Sequence, residues 1–351
     1  YFYVRTGGMA EAIVSLALSY ALAQVTTVLL TPWAASKIRY GFRRLLVYAA
    51  LLLATSYVVL AASFAGYLGG FGWGIGVFAV LFGAYRALYW VPYEISRTVT
   101  PANGFRPLEI LVAISPAVAG LLLTTSSIAP IGLLCAASVI AVVSIFPIAG
   151  MREVREGFMW TYRETFHEFF AYSRRRIAAS SIADGIEAGA LLLFWPLVVF
   201  ILLSWSYPML GVVLSATFLC TLFLRRLLYK PLSQISAPMS AVLAASAWVI
   251  RLTVGGAFGV ILVDTYFYVG SRSKSRGIDM GTFEQAADSS TFVDEHTALK
   301  EMGMAMGRIL LCLLVAALAS ITTVPISFAI AFICAGTAAA YSVYMSHSPV
   351  A

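Results

Sequence analysis

From Met9 to the C-terminus, the chain returns repeatedly to apolar runs of about twenty residues, the length that carries an α-helix through the hydrocarbon of a bilayer. They fall at 9–30, 45–66, 73–92, 107–126, 128–149, 182–203, 206–224, 234–252, 254–270, 303–322 and 324–345, eleven in all. A lipid-facing segment must satisfy its own backbone hydrogen bonds, which leaves helices or a closed barrel. Barrel strands are about ten residues of alternating polarity, so these longer runs read as helices. Of the residues, 61% are hydrophobic and 11% charged, against about 25% charged in a soluble domain. The expected fold class is therefore all-α, a polytopic membrane protein with eleven transmembrane helices.

Cations set its orientation, because Lys and Arg in short loops stay on the cytoplasmic side during insertion. Of the 23 Lys and Arg residues, nineteen fall in alternate connections: Lys37 to Arg44, Arg97 and Arg106, Arg152 to Arg176, Arg225 to Lys230, and Arg272 to Lys300. Arg86 and Arg308 lie inside the cytoplasmic ends of spans, and only Arg5 and Arg251 are left for the outer side. This places Tyr1 outside and Ala351 inside. The opening "YFYVRTGG" carries no Met, signal pattern or charged leader. One further span ahead of it would bring the total to twelve and both termini inside. The organisation expected is an N-terminal bundle of five spans over 1–150, a cytoplasmic linker over 151–181 and a six-helix bundle over 182–351. Aromatic residues mixed with charge in the linker suit an amphipathic helix at the lipid interface or a solvated helix bridging the halves. The short loops suit a bacterial inner membrane.

Three short patterns carry more. The loop "TPWAASKIRYGFRRLL" bends at Gly41 between Arg39 and Arg43; "SPAVAGLL" sets Pro116 and Gly120 four apart in the fourth span; "EMGMAMGRILL" opens the tenth. In these the sequence resembles the major facilitator superfamily. Arg39, Gly41 and Arg43 match the basic half of its loop motif, although Ile38 stands at the family's Asp and Ala34 at its first Gly. Pro116 and Gly120 are similar to the Gly/Pro signature of its fifth helix. The resemblance implies two pseudo-symmetric six-helix bundles that rock around a central site, with the first helix absent here.

Other chemistries find little support. Cys135, Cys220, Cys312 and Cys334 stand alone in apolar spans, and His167, His296 and His347 are far apart, so no metal site or cofactor is expected. The glycines of "GGFGWGIG" lack the Lys-Ser/Thr of a phosphate loop. The net charge of +7 is accounted for by the loops and calls for no nucleic acid. An enzyme would need a nucleophile or metal cluster at membrane depth, and none is spaced for it.

What remains are charges inside the spans. A charge at a helix centre costs about 2.5–3.5 kcal/mol on insertion scales, so it faces a cavity or a partner. Arg86, Glu187 and Asp264 each fall about 8–9 Å inside the cytoplasmic edge of their apolar runs. Asp184 precedes Glu187 by three residues on nearly the same face. In the resembled fold their helices line the central cavity. Glu187 and Asp264 set against Arg86 could bind a polar solute or a coupling proton, or could latch the two bundles shut at the cytoplasmic end. Asp184 could instead simply reach water. The function expected is secondary active transport of a small solute, driven by a proton or ion gradient, by a monomer in the lipid bilayer. A transport-inactive receptor of the same fold is the alternative.

Orientation is open to direct test. Cysteines introduced into 150–181 and 271–302 of a cysteine-free variant should resist an impermeant thiol reagent in intact cells and react after permeabilisation. Labelling from outside would reverse the orientation.

Overall fold

A computed structural model gives the arrangement and describes residues 7–68, 71–99, 107–126, 128–151, 158–228, 236–270 and 293–347. The opening YFYVRT, Arg106, the cationic 152–157 segment, Lys230 and most of the 271–302 loop lie outside the described residues. Among those described, regular structure is helical throughout. In chain order the helices are α1 (Met9–Lys37), α2 (Phe42–Phe64), α3 (Phe71–Val99), α4 (Pro107–Leu122) and α5 (Ala129–Val143, continued by Ile145–Ala149). A short α6 (Tyr162–Phe170) follows. Next come α7 (Arg175–Gly189, extended through Trp195–Leu202), α8 (Tyr207–Leu227), α9 (Ala237–Arg251), α10 (Gly256–Gly270), α11 (Val293–Ile321) and α12 (Val324–His347). Eight of these are long and apolar enough to cross a membrane, and α4, α9 and α10 are shorter apolar helices. The protein is an integral membrane protein.

In chain order the linker leaves five apolar helices before it and six after it among the described residues, taken below as a first and a last set. Among the first five helices, α3 packs on α1 and α2, and α2 packs on α5; among the last six, α7 packs on α11 and α12, and α12 on α9. Two seams join the sets, α1 against α11 and α4 against α8. Without a hydrophobic drive between helices in lipid, such seams depend on close backbone approach. At the α4–α8 seam, a Cβ added to Gly120 would collide with the Tyr207 carbonyl oxygen, and one added to Gly211 with that of Pro116. Ser215 Oγ accepts from Ala117 N at 2.9 Å in the same place. Pro116, having no N–H, leaves α4 one backbone bond short there. On the α1–α11 seam, alanines do the same work: Ala17 and Ala21 pack with Leu311, Val315 and Ala319.

The loop motif is held locally. Gly41 sits at φ 113°, a backbone position that side-chain-bearing residues rarely adopt. Arg43 Nη1 donates to the Ala149 carbonyl at 3.0 Å, tying the α1–α2 turn to the end of α5. Arg39 stays exposed and bonds the Tyr40 hydroxyl.

Among the described residues of the linker, α-helix occupies only 162–170 before Arg175 starts α7. A capping box opens it: Thr161 Oγ1 accepts from Glu164 N, and Glu164 accepts from Thr161 N at 2.7 Å. That backbone bond holds the Glu164 carboxyl below its usual range. Phe169 packs with Val28, Leu299 and Met302 against the seam, while Phe170 stays exposed. One aromatic thus anchors the linker in the protein and its neighbour faces outward.

The α4–α8 seam should be sensitive to volume. Gly211→Val should lower stability by about 1–3 kcal/mol, the usual cost of overpacking, read as a lower midpoint of thermal unfolding in detergent. The neighbouring Val212 is exposed, so Val212→Ala should move the midpoint little and serves as the control.

Candidate functional site

Each of α1, α3 and α11 is 29 residues long, about 43 Å of helix, close to the full thickness of a bilayer with its headgroups. The sixteenth residue is Gln24 in α1, Arg86 in α3 and Arg308 in α11. All three are buried, at 0%, 7% and 4% exposure. Because α1 packs on both α3 and α11, and α11 touches α3, the three polar side chains are brought together. Arg308 Nη1 donates to Gln24 Oε1 at 3.3 Å. Glu301, two helical turns before Arg308 on the same face of α11, is 3% exposed and within electrostatic reach of Arg86 and Arg308. Arg86 also lies over the Trp90 ring at 5.7 Å. The cluster joins the two helix sets across their α1–α11 seam.

Much of its hydrogen-bonding capacity is unused. Among the described residues, Gln24 Nε2, Arg86 Nε, Arg308 Nε and Glu301 Oε2 have no partner. Buried polar atoms are nearly always bonded, so these groups call for partners that the described residues do not supply.

Asp264 belongs elsewhere. Its carboxylate accepts from Arg251 Nη2 at 2.7 Å and from Trp195 Nε1 at 2.8 and 2.9 Å. Arg251, which charge counting assigns to an outer loop, is the last residue of α9, and its side chain is 0% exposed. The guanidinium lies over the rings of Trp195, Trp248 and Phe267 at 4.9, 4.2 and 4.5 Å. Aromatic faces carry negative potential that compensates a desolvated cation. Arg251 Nε and Nη1 have no hydrogen-bond partner among the described residues, so on that side the rings supply the compensation. Glu187, buried in α7, accepts from Trp248 Nε1 at 3.4 Å. Asp184, half-buried, accepts from Ser342 Oγ of α12 at 2.6 Å. The hydrogen bonds give Asp264 a cation other than the expected Arg86. Asp264 is neutralised by Arg251 within the last six helices, and Arg86 shares its cluster with Glu301.

Local sequence explains the aim of Trp195. Pro196 cannot donate to the carbonyl four residues back, and α7 widens to a π-turn over Ala190–Phe194 just before it. That turn shifts the helix face and carries Trp195 inward. Tyr85 and Tyr89 line a crevice of about 350 Å³ with Tyr57, Leu46 and Ile140 between α2, α3 and α5.

Sequence reasoning missed Gln24, Glu301, Arg251, Trp195 and Trp248, and read Arg308 as an end-of-span cation. A signal was present for two of them. Gln24 is a lone amide in an apolar run, and Glu301 precedes Arg308 by seven residues, a helical repeat that extends α11 beyond its apolar start.

Known structures share this arrangement of helices. A solved structure described as a bacterial homologue of the iron transporter ferroportin, in an inward-facing state, superposes with a TM-score of 0.62 at 12% identity, covering 96% of this chain and 90% of that one. One from a study of substrate recognition in proton-dependent oligopeptide transporters superposes with a TM-score of 0.57 at 11% identity, covering 99% and 92%. The chain has the major facilitator fold. No sequence-family model and no curated protein matches it.

The two charge groups should respond differently to mutation. Arg251→Gln leaves Asp264 buried without its cation and should cost about 3–5 kcal/mol, whereas replacing Arg251 and Asp264 together by Met and Leu should cost far less. Thermal unfolding of the three proteins in one detergent measures the difference.

Proposed function

We propose that the protein is a secondary active transporter that moves a small solute through the bilayer by alternating access, drawing on a proton or ion gradient. The observation that carries this reading is the buried cluster of Gln24, Arg86, Glu301 and Arg308, contributed from both helix sets and left with unused donors. Rocking one set against the other would expose such a cluster to each side in turn. The α4–α8 seam brings backbones close at Gly120 and Gly211, and the α1–α11 seam carries Ala17 and Ala21. The Arg251–Asp264–Trp195 group and the Asp184–Ser342 and Glu187–Trp248 bonds all lie within the last six helices. They suit the stiffening of one bundle as it moves. Support also comes from the fold neighbours, which are described as a homologue of an iron transporter and as proton-dependent peptide transporters. In this reading the chain works as a carrier and not as an enzyme, and it needs no bound cofactor.

Reconstitution into liposomes tests it. With a pH or cation gradient imposed, a panel of metabolites should yield saturable uptake of at least one solute. Arg308→Gln should cut that uptake by about tenfold or more, as loss of a charged hydrogen bond does. Solute binding to purified protein with no flux under any gradient would mark a receptor of the same fold and overturn the proposal.

A further inference from the structure

We propose that the cluster at the α1–α11 seam binds a small oxyanion, a carboxylate or phosphate-bearing solute held by Arg86, Arg308 and Gln24. This rests on the transport reading for its consequence, but the binding itself is independent of flux.

Charge comes first. Two guanidiniums, Arg86 and Arg308, are more than nine-tenths buried and within electrostatic reach of one another. Like charges in a low-dielectric interior repel strongly, and an uncompensated buried cation is costly. Glu301 offsets one of the two. The cluster itself thus brings two guanidiniums and one carboxylate together.

Hydrogen-bonding capacity points the same way. Arg86 Nε, Arg308 Nε and Gln24 Nε2 are three donors without partners among the described residues, against one orphan acceptor in the cluster, Glu301 Oε2. The bond from Arg308 Nη1 to Gln24 Oε1 uses the amide's acceptor and leaves its donor end for something else. A cationic solute would add to the surplus charge, and a neutral one would leave it uncompensated. An oxyanion supplies both the missing charge and several acceptor lone pairs, in the planar geometry that guanidinium groups favour. Arg86 comes from the first helix set and Arg308 from the second. One anion bridging them would therefore link its own binding to the relative position of the two sets.

The test uses the full chain purified in detergent, titrated with inorganic phosphate and, separately, succinate. Chloride holds ionic strength constant; choline and glucose serve as cationic and neutral controls. Thermal midpoint and calorimetry should show saturable binding of at least one anion and none of either control, and the stronger of the two arms assigns phosphate or carboxylate chemistry. Arg86→Gln and Arg308→Gln should each weaken that binding about tenfold to a hundredfold, as loss of a charged hydrogen bond does. Arg308→Lys should restore part of it. If a single variant fails to fold, Arg86→Gln combined with Glu301→Gln keeps the cluster's net charge and should still lose affinity. Saturable binding of choline or glucose, or no saturable anion binding, overturns the inference. So does anion binding that all these variants leave unchanged. Flux of a neutral or cationic solute in liposomes, without anion binding, would sink this inference and leave the transport proposal standing. Anion binding without flux would do the reverse.

Discussion

A guanidinium buried among membrane helices can find hydrogen-bond acceptors only in its own protein or a ligand, and much of this structure is arranged around that constraint. Two solutions appear. Arg251 is compensated by one carboxylate and three aromatic faces. Arg86 and Arg308 share one glutamate and one amide between them, and the amide itself has a donor to spare. The first arrangement resembles a structural pair. The second has the chemistry of a site.

Their positions sharpen the contrast. Arg251, Asp264, Trp195 and Trp248 lie on α9, α10 and α7, all in the later set, so their contacts need not change if that set moves as a body. Arg86, Arg308 and Gln24 straddle the α1–α11 seam. Any relative motion of the two sets must alter their geometry. Glycine at the α4–α8 seam and alanine at the α1–α11 seam let the helices approach closely. An anion held between Arg86 and Arg308 would provide the differential interaction energy without which a ligand cannot shift a conformational equilibrium.

Sequence alone determined the fold class. Runs of about twenty apolar residues permit only membrane helices, and helices stand at each of the places where those runs fall. Pro116, Gly120 and Gly41 were legible because backbone chemistry acts locally: a missing N–H, a missing Cβ and a positive φ are properties of single residues. That Arg86, Glu187 and Asp264 are buried also followed from their setting in apolar runs. Partner choice did not. A hydropathy run marks where lipid-compatible residues begin, whereas a helix continues until its capping and packing stop it. Glu301 thus reads as the edge of a loop in the sequence but lies inside α11. Arg251 reads as an outer cation because loop charge counting has no term for a side chain that turns inward to meet Asp264, thirteen residues away along the chain. Which of two arginines a carboxylate meets depends on helix rotation and seam packing, and a π-turn ahead of Pro196 is enough to redirect α7. Those are long-range properties of the folded protein, and only the tertiary structure decided them.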